Sequence, residues 1–78
     1  MKSKETTNWG MLLSTRQSST IMKRFAIGQY SAQAVTKAFA YTDQAGEFRK
    51  LVRASGTTYA RRLTRKALRY RGILQPSK

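Results

Sequence analysis

Residues 57–72 read TTYARRLTRKALRYRG, and this stretch decides the fold class of the chain. At about 100° per residue, Ala60, Leu63, Ala67 and Tyr70, continued by Leu74, fall in one narrow arc. Arg61, Arg62, Arg65, Lys66 and Arg69 fill the opposite arc. Thr57 or Thr58 stands where an N-cap belongs, and Gly72, with Pro76 just beyond, marks an end near Arg71. The spacing predicts a helix with one packing face and one cationic face.

Moving toward the N-terminus, Asp43 reads as the N-cap of a second helix, with Glu47 near its positive start. Arg49, Lys50 and Arg53 lie toward its negative end, Ala45, Phe48, Leu51 and Val52 share a face, and Gly56 terminates it. A further candidate is SAQAVTKAFA, residues 31–40, capped by Ser31 and presenting Val35, Ala38 and Phe39 on one side. Gly28 weakens any continuation toward Met22. Residues 1–19 are rich in Ser, Thr, Asn and Lys without sustained periodicity and read as an extended arm. Trp9, within that arm, suits either an anchor for a groove on another molecule or a local tuck onto its own domain. No strand is required. The expected architecture is all-α, two or three short helices over residues 20–78 preceded by an extended basic arm over residues 1–19.

Composition narrows the function classes. The 78 residues carry sixteen Lys and Arg against three Asp and Glu, with no Cys and no His. Zinc fingers, thiol or imidazole nucleophiles and disulfide frameworks are thereby excluded, and three carboxylates make a metal site or an acid/base pair improbable. The remaining nucleophiles, Ser, Thr, Tyr and Lys, have no recognisable base beside them, so neither an enzyme nor a cofactor is expected. A chain this short hides only about 60% of its unfolded surface, so one small domain is the limit, completed by a scaffold or by oligomerisation. Charge interrupts every apolar stretch well short of a membrane span, as at Lys23, Arg24 and Lys37. The segment with Met11, Leu12, Leu13, Ser14, Arg16, Ser18, Ser19, Lys23 and Arg24 is acid-poor and patchily amphipathic, in the style of a mitochondrial transit segment or of a plain basic arm.

The charge is also uneven. From Arg49 onward there are ten basic residues and no acid, whereas the first forty-eight residues carry six bases and all three acids. Five cations on one helix face repel one another, and no acid at i±4 offsets them. A polyanion supplies the missing charge, and the preponderance of Arg, whose planar fork pairs two phosphate oxygens, points to structured RNA or DNA. A solvated cationic face is the plainer alternative. Tyr59 and Tyr70 flank the basic helix and Tyr30 and Tyr41 bracket the first one; Tyr70 is expected to pack, and Tyr59 to pack or to stack on bases. If five to six cations meet phosphates, log affinity should fall against log salt with a slope of about −4 to −5.

Residues 59–76, YARRLTRKALRYRGILQP, are similar to the C-terminal signature of the bacterial-type small-subunit ribosomal protein numbered eighteen. Tyr59, Arg61, Leu63, Arg65, Arg69, Arg71, Ile73, Leu74 and Pro76 carry the likeness. Upstream, Tyr41, Asp43, Arg49, Lys50, Leu51, Val52 and Gly56 of YTDQAGEFRKLVRASG resemble the helix that precedes it in that family. The resemblance implies a small helical protein on the small-subunit platform, contacting ribosomal RNA and neighbouring ribosomal proteins, the one numbered six among them. By matching position it makes Arg61, Arg65, Arg69 and Arg71 RNA contacts; Arg62 and Lys66 join them by face, and Arg49, Lys50 and Arg53 by charge. A mitochondrial ribosome is the expected location. Two other readings stay open: a DNA-binding regulator or nucleoid protein using the residue 43–71 helix pair as a helix-turn-helix, and an accessory subunit of a mitochondrial membrane complex.

Overall fold

The computed structural model describes residues 8–40 and 42–72, and every described element is helical. There are five helices among these residues: α1 (Trp9–Leu12), α2 (Arg16–Ala26), α3 (Ala32–Ala38), α4 (Asp43–Ser55) and α5 (Thr57–Tyr70). The all-α expectation holds, but not the count of two or three. Nor are residues 9–19 an extended arm: α1 and the first turn of α2 occupy them, and α2 runs straight through the expected boundary between residues 19 and 20. Residues 1–7 of that arm lie outside the described residues, as do Tyr41, Ile73, Leu74, Pro76 and Lys78.

The physical reason lies in α2. Ser18, Ile21, Met22, Phe25 and Ala26 are all buried, at the i, i+3, i+4, i+7, i+8 spacing of a helix face. Ser18 disguises that face as polar. Its backbone N–H donates to Thr15 Oγ1 at 3.0 Å while its own hydroxyl accepts from the Thr15 N–H at 3.0 Å, so a capping box opens the helix and satisfies the buried hydroxyl. Just upstream, Leu12 and Leu13 enter the core, and the Asn8 side chain caps α1 through the Met11 N–H.

Caps and faces elsewhere match in part. Ser31 caps α3 as expected, accepting from the Ala34 N–H at 3.1 Å. Val35 and Phe39 are buried but Ala38 is exposed. Thr42, not Asp43, is the N-cap residue of α4, with Asp43 in its first turn. On α4 the expected face is present: Ala45, Phe48 and Leu51 are buried and Val52 packs half-buried against them. Gly56, rather than Thr57 or Thr58, precedes α5.

The helices α2, α5, α4 and α3 pack in that cyclic order, with α1 laid against α2 and α4. At the centre, the Phe25 and Phe48 rings meet edge to face with centroids 4.9 Å apart. Gly56 ends α4 and opens α5 with no residue between, at φ 82° and ψ 158°, a region that only glycine enters without strain. Replacing it by alanine should therefore cost about 1–3 kcal/mol of stability although a Cβ there meets no atom within 4 Å. Gly46→Ala, in the exposed interior of α4 and equally free of contacts, should instead stabilise by about 0.5–1 kcal/mol. Urea denaturation of the two variants checks the opposed signs.

Candidate nucleic-acid interface

On α5 the buried arc is centred elsewhere than on the expected 60, 63, 67, 70 line. Ala60, Thr64 and Leu68 are buried, Leu63 and Ala67 are half-buried, and Tyr70 is 92% exposed. The arc is turned by about 80° from the expected one. A buried threonine permits this, since Thr64 Oγ1 donates to the Ala60 carbonyl at 2.8 Å and leaves no orphan hydroxyl in the core.

That rotation divides the arginines into two groups. Arg61 and Arg65, expected among the RNA contacts, come to the edge of the buried arc and reach α2. Arg61 donates from Nε to the Phe25 carbonyl at 3.1 Å and from Nη2 to the Tyr30 carbonyl at 3.3 Å, with its guanidinium 4.9 Å from the Phe25 ring centroid. Arg65 donates from Nη1 to the Ala26 carbonyl at 2.9 Å. The helix end they meet is already a Schellman motif: the Gln29 N–H reaches the Arg24 carbonyl, the Gly28 N–H reaches the Phe25 carbonyl, and Gly28 sits at φ 89°. The two guanidiniums supply further donors to the carbonyl acceptors at the negative end of α2.

Arg62, Lys66 and Arg69 remain on the exposed arc of α5, with Arg71 following at its C-cap. From Arg62 to Arg69 the helix rises about 10 Å, enough to face several phosphates of a nucleic-acid strand. Among the described residues the one ion pair joins Lys50 to Glu47, at 3.3 Å, and touches none of these four. Arg49 and Arg53 are exposed, but on the flank of α4 that packs against α3. With Lys37 they rim a groove of about 780 Å³ floored by Ala32, Ala40, Phe48 and Val52. The nine basic residues expected to contact RNA thus fall into three sets: the α5 face, the α3–α4 groove with Lys50 paired to Glu47 nearby, and the two arginines that close α2.

Lys37 was not among the expected contacts, nor were Lys23 and Arg24, which are exposed in the last turn of α2. Recognising the 18, 21, 22, 25 spacing would have located the last two on a helix end. Trp9 does not protrude; it packs half-buried against the core cluster and lines a cleft with Leu63, Lys66, Ala67, Tyr70 and Arg71. No helix among the described residues is long and apolar enough to cross a membrane. Comparison with protein families, with curated proteins and with solved structures finds no match to this chain.

Proposed function

We propose that the chain binds the phosphate backbone of structured RNA through the α5 face of Arg62, Lys66 and Arg69, as a non-catalytic constituent of a ribonucleoprotein. The observation that carries this is a cationic helix face with no acid in ion-pair contact among the described residues, held in place by a neighbouring pair of arginines committed to the fold itself. Like charges at i+3 and i+4 oppose the helix, and phosphates relieve the repulsion. Within this reading, the likeness of residues 59–76 to the small-subunit protein numbered eighteen favours ribosomal RNA, in a mitochondrial or other bacterial-type ribosome. The α3–α4 groove and its cations would then face a neighbouring ribosomal protein or a second RNA segment. A helix-turn-helix reading has less support, because the single residue Gly56 replaces the three- to four-residue turn of that motif.

Salt titration provides the test. With Arg61 and Arg65 committed to α2, three to four cations are left for phosphate, and log affinity for a folded RNA should fall with log salt at a slope of about −3 to −4. A slope near −1 would overturn the α5 face as the binding surface, and one of about −5 or steeper would return the two inner arginines to it. Sucrose-gradient sedimentation of the tagged chain from its own cells then decides the assembly. Co-migration with small-subunit ribosomal RNA that is lost on RNase treatment supports the ribosomal reading, and migration indifferent to RNase sinks it.

A further inference from the structure

Beside the phosphate-binding face, α5 carries a second strip whose chemistry is different. Tyr59, Leu63, Lys66 and Tyr70 recur at i, i+4, i+7 and i+11; Leu63 is half-buried against the core, Lys66 is exposed, and Tyr59 is 50% exposed and Tyr70 92%. Over the C-terminal half of that strip lies Trp9 of α1, and between them is an open cleft of about 460 Å³. Trp9 and Tyr70 supply aromatic surface, Leu63 and Ala67 an apolar floor, and Lys66 and Arg71 a cationic rim. No acid lines it. Glu47, which meets the Asn8 backbone next to Trp9, is already engaged: it accepts from the Asn8 N–H at 3.1 Å and pairs with Lys50 at 3.3 Å.

Packing does not account for an almost fully exposed tyrosine next to a half-buried tryptophan with two cations at the edge. The combination matches what an unpaired nucleotide requires, an aromatic surface for its base and positive charge for the phosphates on either side. The volume suits a ligand of nucleotide size. A base inside a duplex has both faces covered by its neighbours, so such a cleft selects against fully paired nucleic acid.

We propose that this cleft receives an unpaired nucleobase of the bound RNA, stacked with Trp9 and Tyr70, with Lys66 and Arg71 meeting the flanking phosphates. The proposal rests on the phosphate-binding reading and adds to it a preference for a bulge, loop or single strand next to the segment held by Arg62 and Arg69. Lys66 belongs to both surfaces and ties them into one continuous site.

Trp9 is the sole tryptophan, so its emission reports on the cleft without labelling. The probes are single-stranded oligo(A), single-stranded oligo(U) and the duplex of the same two strands, each titrated at low salt and followed by anisotropy and by Trp9 fluorescence. The single strands should quench Trp9 and the duplex should not. Tyr70→Ala, which removes a side chain that supports no core packing, should weaken single-strand binding by about tenfold while leaving duplex affinity within about twofold. Tyr70→Phe should restore it. An emission unchanged at saturation with single strand, or an equal loss of both affinities in Tyr70→Ala, would overturn the stacking site and leave the backbone reading standing. Failure of all three probes to bind would overturn the backbone reading and the stacking site with it.

Discussion

Reversing Arg62, Lys66 and Arg69 together to Glu should lower affinity for structured RNA by about a thousandfold at 0.1 M salt, with folding free energy changed by no more than about 1 kcal/mol. Each phosphate contact released contributes a factor of nearly ten at that salt, three are removed, and the new carboxylates add repulsion. Stability stays because the three side chains are exposed and none makes a hydrogen bond or ion pair within the described residues. The matched experiment substitutes the inner pair. Arg61→Met and Arg65→Met keep the aliphatic stems but leave the carbonyls of Ala26 and Tyr30 without their arginine donors and take one of two donors from that of Phe25. Each change should cost about 1–3 kcal/mol in stability, and the salt slope of RNA binding should stay unchanged. Urea denaturation and filter binding on the same four proteins separate the two roles. If the inner pair lowered affinity as much as the outer triple at unchanged stability, the division of the arginines would be wrong.

Phe25→Ala should remove most of the folding free energy. Phe25 is fully buried, its ring meets that of Phe48 edge to face with centroids 4.9 Å apart, and the Arg61 guanidinium lies over it at 4.9 Å from its centroid. Truncation of a buried phenylalanine costs about 3–5 kcal/mol through lost transfer energy and the cavity left behind. Here the aromatic edge contact and the cation–π contact go with it. In a domain of this size total stability lies toward the low end of about 5–15 kcal/mol, and each kcal/mol is worth about 4–8 °C. A fall in Tm of about 15–30 °C is expected by far-UV circular dichroism. Phe25→Leu, which keeps most of the volume, should fall by less than half of that. A melt within a few degrees of the parent for Phe25→Ala would show that the core is not centred on the Phe25–Phe48 pair.

What was legible in the chain depended on how local the deciding interaction was. The α4 face of Ala45, Phe48, Leu51 and Val52 and the Ser31 cap of α3 are written within one or two turns, and both were read correctly. Helix α2 escaped because a serine occupies the first buried position and satisfies itself within the box it forms with Thr15. On α5, counting Tyr70 as apolar and Thr64 as polar turned the packing face away from its true direction. The separation of Arg61 and Arg65 from Arg62, Lys66 and Arg69 was out of reach for a different reason. It depends on acceptors between 31 and 39 residues away, on a helix end that periodicity alone had not located.

The way α5 closes the end of α2 also bears on when this protein acquires its shape during synthesis. The arginine donors to the Phe25 and Ala26 carbonyls are translated 36 and 39 residues after their acceptors, so α2 is made before the side chains that close its end. At about 5–20 residues per second, that interval lasts several seconds. Until Arg65 has been made, the Ala26 carbonyl lacks its side-chain donor and the end of α2 stays open. Helix α5 is therefore the latch of the fold as well as the carrier of its exposed cationic arc, so a chain truncated before Thr57 should lose its structure.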